Sequence, residues 1–398
     1  MLFYNLEAMP ISKRKLLLIT DLYPNKFNPV NGVFVQQQAI ELSRYYQVQV
    51  VAACDKNPYL VYEHHQDGFP VKLICYPYWQ KYFLTSLITY RILALPAIKR
   101  CYKRFQPDII HIHDYRHIPE LFWLKPWLNK LSVPKYLTLH NIRTHPERLK
   151  NNPRIGFYRW ALKKTLTGWK HIFTVNSKIA KWVKQYNPAS KVTIIGNAVS
   201  ELAEVDPQLI EPYKNILLAD YFHLISIGNL FTEKGFSYLI EAISLLKKEG
   251  LQVQLIIAGD GDRRKELENQ VKTNNLNEEV IFLGRIENKL LRNILPLFDL
   301  FVLASYSETF GIVFLEAMFA GLPVIGIKEE GIYNLAEDGK QALFAEPKNS
   351  KDLAAKIKLL MMNPLLREEI AKAGQRLVQE KYMLKELIKR IIAVYEQK

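Results

Sequence analysis

Two successive α/β domains, each built on a mostly parallel sheet, are the fold class this sequence predicts, and three observations predict it. The chain has 398 residues, enough to bury two separate cores. Short continuous apolar runs alternate with amphipathic stretches along its whole length, the pattern of strands covered on both faces by helices. The charge balance also reverses midway. Residues 1–200 carry 29 Lys and Arg against 10 Asp and Glu, whereas residues 201–398 carry 25 against 29.

In the first half the strands are read at "KLLLIT" (15–20), "VQVVAA" (48–53), "DIIHIH" (108–113), "KYLTLH" (135–140), "HIFTVN" (171–176) and "VTIIG" (192–196). In the second half they fall at "HLISIG" (223–228), "VQLIIAG" (253–259), "VIFLG" (280–284), "LFVLA" (300–304) and "PVIGI" (323–327). Between them lie helical patterns such as "FSYLIEAISLLKKEG" (236–250), closed by Gly250 as a C-cap. The segment "SELAEVDPQLIEPYKN" (200–215) has weak periodicity and two prolines and reads as the linker, at the point where the charge reverses. The expectation is therefore two Rossmann-like domains, residues 1–205 and 206–380, facing each other across a cleft. A last helix within 381–398 is expected to pack back on the first domain. Ligands of open α/β sheets sit at the carboxyl ends of the strands, so the residues just after each strand are the ones to weigh.

Composition narrows the class. The three cysteines, Cys54, Cys75 and Cys101, show no metal-ligand spacing and an odd count, which suits a reducing, cytoplasmic compartment. No signal peptide is read at the start, and no run reaches the roughly 18 apolar residues of a spanning helix. "FLTSLITYRILALPAI" (83–98) is broken by Arg91 and Pro96. The basic first half favours an anionic partner. Residues 151–200 hold nine basic residues and no acid, interleaved with Phe157, Tyr158, Trp160, Trp169 and Trp182. Residues 78–105 read as an amphipathic helix ending in Lys99, Arg100, Lys103 and Arg104. Both features point to an anionic membrane surface, with a solvated basic face as the plain alternative. No nucleic-acid-binding motif is present, so nucleic acid is not expected as a partner.

The chemistry-bearing residues follow the strands. After 223–228 comes "GNLFTEKGFSYLI", where Lys234 and Gly235 stand at a helix start that favours anions. After 253–259, Asp260-Gly261-Asp262 has the look of a metal motif but reads better as a turn whose aspartate caps the helix near Arg263. In "HIHD", His111 and His113 share a strand face, no third metal ligand is evident, and His113 at the strand end is placed to contact a substrate. The run "SYSETFGIVFLEAMFAGLPVIG" (305–326) puts Glu308 on a loop and Glu316 inside an otherwise apolar helix opened by Gly311. A carboxylate accepts two hydrogen bonds from a cis-diol such as a ribose or hexose edge. The structural alternative makes Glu308 a capping residue and pairs Glu316 with a lysine.

"ETFGIVFLE" (308–316) resembles the E-x7-E signature of the retaining glycosyltransferases of the GT-B fold, family 4. So do "ISIGNLFTEKGFSYLIEAI", "LIIAGDGDRRKELE" and "VIFLGRI" in the second half, and "YPNKFNPVNGVFVQQQAIELSR" and "VTIIGNAV" in the first. The ordered set spans nearly the whole chain. The resemblance implies that the first domain binds the acceptor and the second the nucleotide sugar. It implies that Glu308 holds donor-sugar hydroxyls and Glu316 the ribose. The backbone at Phe310, Gly311 and Ile312 would approach sugar and diphosphate, and Lys234 would neutralise the leaving diphosphate. Gly32 would let a loop approach the phosphates, His140 would stand near donor sugar and acceptor, and Gly284 and Arg285 would flank the base. His113 is the candidate on the acceptor side. One departure is Asn229, where the family usually has an arginine; Lys234 then neutralises charge with less help.

The function so implied is transfer of a sugar from a nucleotide sugar, with UDP the expected nucleotide, to an acceptor hydroxyl with retention of configuration. The acceptor is expected to be lipid-linked or otherwise anionic, as in cell-surface polysaccharide or glycolipid assembly. The place expected is the cytoplasmic side of the membrane, bound peripherally. No cofactor and no metal are expected. A nucleotide-sugar 2-epimerase and a non-catalytic nucleotide-sugar-binding subunit are the alternative readings. An NAD oxidoreductase is disfavoured, since no G-x-G-x-x-G follows the first strand.

Overall fold

Leu16, Leu17, Leu18 and Ile19 have no solvent exposure, so the first strand, β1 (Lys15–Thr20), is covered on both faces as its unbroken apolar run requires. The computed structural model describes residues 13–28, 31–55, 60–64, 67–76, 88–113, 118–140, 155–201 and 204–397. The chain divides into two compact units, residues 1–195 with 388–398, and residues 196–387.

In the first unit β1 is joined by β2 (Gln47–Asp55), β3 (Leu60–His64), β4 (Val71–Tyr76), β5 (Ile109–His113), β6 (Lys135–Leu139), β7 (His171–Thr174) and β8 (Val192–Ile194). These form one eight-stranded sheet in the order β3-β4-β2-β1-β5-β6-β7-β8. Every pairing is parallel except β3 against β4. The helices are α1 (Val33–Ser43), α2 (Leu95–Phe105), α3 (Ile118–Leu128), α4 (Ile155–Thr165) and α5 (Ser177–Tyr186). Asn176 caps α5 by accepting the Ile179 amide at 2.8 Å.

The second unit holds a six-stranded, all-parallel sheet. Its strands are β9 (Phe222–Ile227), β10 (Val253–Ala258), β11 (Val280–Gly284), β12 (Leu300–Val302), β13 (Val324–Ile327) and β14 (Leu343–Ala345), in the order β11-β10-β9-β12-β13-β14. Its helices are α6 (Glu211–Lys214), α7 (Phe236–Lys248), α8 (Arg264–Thr273), α9 (Asn288–Ile294), α10 (Ile312–Phe319), α11 (Ser350–Met362) and α12 (Pro364–Lys381). The last helix, α13 (Leu384–Tyr395), begins in this unit and ends in the first. There Tyr395, buried, packs on His111 and Tyr136.

Several expectations meet a different outcome. The division falls at 195/196 rather than in the 200–215 segment. Up to Ile195 the chain bonds to β7, its amide reaching the Thr174 carbonyl at 2.9 Å, whereas Val199 pairs with Tyr382 and Leu384. Asp260 is not the cap of α8: its carboxylate takes the adjacent Gly261 amide at 2.8 Å, and the cap position is held by Arg263, whose side chain makes no capping bond. Of the aromatics in the basic stretch, Trp182 is buried and Trp169 is tied to the Thr165 carbonyl at 2.7 Å, while Trp160 is 48% exposed. The expected amphipathic helix lies outside the described residues as far as residue 87. From Tyr90 to Ala94 it is a π-helical turn, because Pro96 has no N–H to give the preceding turn. Among the described residues, no helix is long and apolar enough to cross a membrane.

Candidate active site

In the second unit, three segments meet at the carboxyl end of the sheet. β9 exits into a 3₁₀ turn, Thr232–Lys234, and Gly235 then opens α7. Gly235 has a φ of 69°, and a Cβ there would fall 2.0 Å from the Ala304 carbonyl oxygen. Only glycine lets the turn lie this close to the exit of β12. The Glu233 carbonyl then accepts the Tyr306 amide at 3.0 Å and the Ser305 hydroxyl at 3.2 Å, which fastens the two loops together.

That fastening places Lys234 beside Glu308. The ammonium donates to Glu308 Oε2 at 2.5 Å, and both side chains are largely buried. Glu308 is held from the other side as well: its amide donates to the Glu330 carboxylate at 2.8 Å, and its carbonyl accepts the Gly331 amide at 3.2 Å. The paired ammonium and carboxylate offer one cation to a phosphate and one acceptor to hydroxyls.

Glu316 sits on α10, which starts after Gly311 in the left-handed region. Its side chain is 8% exposed, and burial raises its pKa, with Asn288 and Arg292 opposing the rise. Asn288 donates to Oε1 at 3.0 Å, and Arg292 Nε stands 4.0 Å from the same oxygen. Arg292, itself buried, is oriented by the hydroxyl and carbonyl of Ser200 at 3.0 and 2.5 Å. Among the described residues, Oε2 of Glu316 accepts no hydrogen bond. Glu308 is thus paired with a lysine, and Glu316 with an amide and an arginine.

The other sequence candidates of this unit are spread around the same sheet end. Asn229, exposed, follows β9. Gly284 ends β11, its carbonyl taking the Gly259 amide at 2.7 Å, and Arg285 beside it is exposed. The Phe310 ring is buried, edge-on to Tyr382, and Ile312 begins α10. Sequence reasoning missed Asn288, Arg292 and Glu330. The first two stand four apart on α9, one helical face, which is the signal that would have found them.

In the first unit Gly32, with φ 68°, opens α1, and a Cβ would meet the Leu22 carbonyl carbon at 2.2 Å. The loop after β1 therefore folds tightly onto the helix start. Three histidine rings follow one another here: His111 within β5 is tilted against His113 at its end, and His113 is stacked with His140 just past β6. His111 is wholly buried, its Nδ1 2.5 Å from the Tyr395 hydroxyl and its Nε2 2.7 Å from Thr138 Oγ1. His113, also wholly buried, has Nδ1 3.2 Å from Nε2 of His140. The His140 ring lies 4.6 Å from that of Phe34 on α1. Burial drives the His111 pKa down to about 3 and that of His113 well below its ordinary value.

These two α/β units define the fold of the GT-B glycosyltransferases. The family model "Glycosyltransferase Family 4" matches residues 32–201, and "Glycosyl transferases group 1" matches residues 211–377. The two models fall in tandem on the two units, and the chain is a glycosyltransferase of the GT-B class. Alpha-D-kanosaminyltransferase of Streptomyces kanamyceticus is 26% identical over 275 residues, 67% of this chain and 71% of the relative. A proposed teichuronic acid biosynthesis glycosyltransferase of Bacillus subtilis is 26% identical over 397 residues, 92% of this chain and 94% of the relative. Sucrose-phosphate synthase from Thermosynechococcus elongatus shares the fold with a TM-score of 0.77 at 18% identity, over 97% of this chain and 99% of the other. The Anabaena protein HepE, solved with UDP and glucose, does so with a TM-score of 0.74 at 20% identity, over 96% and 99%.

Proposed function

We propose that the chain transfers a sugar from a UDP-sugar to an acceptor hydroxyl with retention of configuration, in the assembly of a cell-surface polysaccharide or glycolipid. The observation that carries this reading is the state of Glu316. A carboxylate buried in an apolar helix costs stability. Here one oxygen is held by Asn288 while the other accepts nothing among the described residues. That is the disposition required to grip the ribose of a nucleotide. In this reading Lys234 receives the leaving diphosphate and Glu308 the sugar hydroxyls, with stabilisation from groups already in place. Phe310, Gly311 and Ile312 approach sugar and diphosphate through their backbone, Gly32 admits phosphate, and Gly284 and Arg285 flank the base. Asn229 adds a neutral hydrogen-bonding group.

Retention is supported by the family resemblance, and UDP by the ligand of the Anabaena structure that shares the fold. The Bacillus subtilis relative named for teichuronic acid supports a cell-surface acceptor. Exposed Ile88 and Ile92 just before α2, and exposed Arg100, Lys103 and Arg104 on it, support peripheral attachment to an anionic membrane. UDP titration of wild type and Glu316→Gln tests the carrying observation. The variant is expected to bind UDP roughly 10- to 100-fold more weakly, the worth of a charge-assisted hydrogen bond. Equal affinity in the two proteins removes the ribose assignment.

A further inference from the structure

Glu316 poses a question of charge. Burial in an apolar helix drives a carboxylate toward its neutral, protonated form. Protonated, it gains an O–H donor and loses the charge that makes it a strong acceptor of two diol hydrogen bonds. Its own helix offers nothing against this, since Phe314, Leu315, Ala317 and Met318 around it on α10 are buried apolar groups. The elements packed on α10 add no charge either. Phe301 of β12 stands edge-on to Phe314, while α12 brings Gly374 against Met318 and the Gln375 amide to the Phe319 carbonyl at 3.0 Å. The opposing groups come from α9. Asn288 donates a neutral hydrogen bond, and Arg292 brings a full positive charge 4.0 Å from Oε1. Among the described residues, no other basic side chain comes within that distance of the carboxylate.

Arg292 is itself buried, which is costly unless its N–H groups are bonded. Ser200 meets that need: its hydroxyl accepts from Nη1 at 3.0 Å and its carbonyl accepts from Nη2 at 2.5 Å. Both Nη groups are thereby spent on Ser200, and Nε is the group nearest Glu316. Ser200 is fixed in turn by its neighbour. Val199 is buried, its amide donating to the Tyr382 carbonyl at 2.9 Å and its carbonyl accepting the Leu384 amide at 2.8 Å. The pKa directions agree with this geometry. Burial raises that of Glu316 while Asn288 and Arg292 lower it, and burial lowers that of Arg292 while Glu316 raises it.

We propose that Arg292 is a positioning residue for nucleotide binding: anchored by Ser200, it keeps Glu316 an anion, the form that accepts both hydroxyls of a ribose. This rests on the reading of Glu316 as the ribose ligand. It gives Ser200, on the segment that enters the second unit, a part in nucleotide affinity. Arginine suits the role because its planar fork bonds Ser200 twice while its charge stays beside Glu316.

Carboxyl ¹³C spectra of the full chain labelled at glutamate, with the Glu316 line assigned by its loss in Glu316→Gln, read the charge directly across pH. Wild type is expected to show an ionised Glu316 at pH 7. Arg292→Met, apolar and unbranched, should move the Glu316 midpoint to higher pH, and Ser200→Ala should move it the same way by less. Arg292→Lys keeps a cation and should hold the midpoint nearer that of wild type. UDP titrations over the same pH range should follow. Each pH unit by which the variant's midpoint exceeds the working pH should weaken UDP binding roughly tenfold relative to wild type. A Glu316 still protonated in wild type at pH 7 overturns the proposal. So does an unmoved midpoint in folded Arg292→Met, or a midpoint in Arg292→Lys as high as in Arg292→Met. Should Arg292→Met fail to fold, Ser200→Ala decides, and an unmoved midpoint there overturns the proposal. A moved midpoint with UDP affinity unchanged at every pH would instead strike the ribose reading and leave the charge assignment standing.

Discussion

Glu316 occupies a position that packing alone would give to a leucine, and its energetics can be read in both folding and binding. Burial raises its pKa, so the folded protein holds that proton more tightly than the unfolded chain does. The group's contribution to stability is fully present below the ordinary value of 4.5 and is lost as pH rises through the raised folded value. Glu316→Gln should therefore melt at a higher temperature than wild type at pH 8, and the gap should close as pH falls toward 4.5; calorimetry at a series of pH values checks this. A residue that binding needs and stability does not would show both effects at once. Lys234 is different, since its role lies with the leaving group. Lys234→Ala should slow transfer by roughly 10²–10³-fold, and Glu308→Ala should reduce turnover while leaving UDP affinity nearly intact, both measurable by released nucleotide. At this scale the sequence showed the carboxylates, because an acid in an apolar run is conspicuous. It did not show that Lys234 and Glu308, 74 residues apart, form an ion pair, since only the sheet brings their loops together.

At the scale of elements, the all-parallel core was legible because strands covered on both faces are continuous apolar runs. "VQLIIA" (253–258) is a strand buried at every position. β3 and β4 were passed over: an antiparallel pair with polar residues and Pro70 between its strands lacks that signature. β14 has three residues, too few for any period. Gly250 was legible as a helix stop. It takes a φ of 80° while its amide reaches the Lys247 carbonyl at 2.9 Å and the Leu251 amide reaches Leu246 at 3.1 Å. Gly235 carries the sharper test. Gly235→Ala combines a left-handed φ with a clash against backbone, so it should cost about 2 kcal/mol or more and lower the second unit's melting midpoint by several degrees. The same variant should lose transfer activity as the Lys234 turn moves away from the Ser305 loop. In the first unit, His111 is held neutral, with a pKa near 3 against an ordinary 6.5. Its contribution to stability is present above pH 6.5 and is lost progressively as pH falls from there toward 3, so that unit's melting midpoint should drop over this window.

On the whole molecule the charge is divided between halves, +19 in residues 1–200 and −4 in residues 201–398. The structure leaves Arg100, Lys103 and Arg104 exposed on α2, with Ile88 and Ile92 exposed just before it, at 56% and 62%. Each basic side chain at an anionic surface contributes roughly 1 kcal/mol, screened by salt. Co-sedimentation should show binding to vesicles with anionic lipid, none to neutral vesicles, and release at high salt. Replacing Lys99, Arg100, Lys103 and Arg104 with Gln should weaken it without unfolding the chain. Equal binding to both kinds of vesicle, or to neither, would leave the basic half to serve the acceptor alone. The central claim is transfer from a UDP-sugar, and the most direct measurement is a panel of nucleotide sugars incubated with the protein and a membrane extract as acceptor, scored by released nucleotide. The account predicts that UDP is released from a UDP-sugar when acceptor is present, that chelator does not abolish it, and that Lys234→Ala nearly does. Conversion of the nucleotide sugar to an isomer without acceptor, or release of a different nucleotide while every UDP-sugar stays intact, would contradict it.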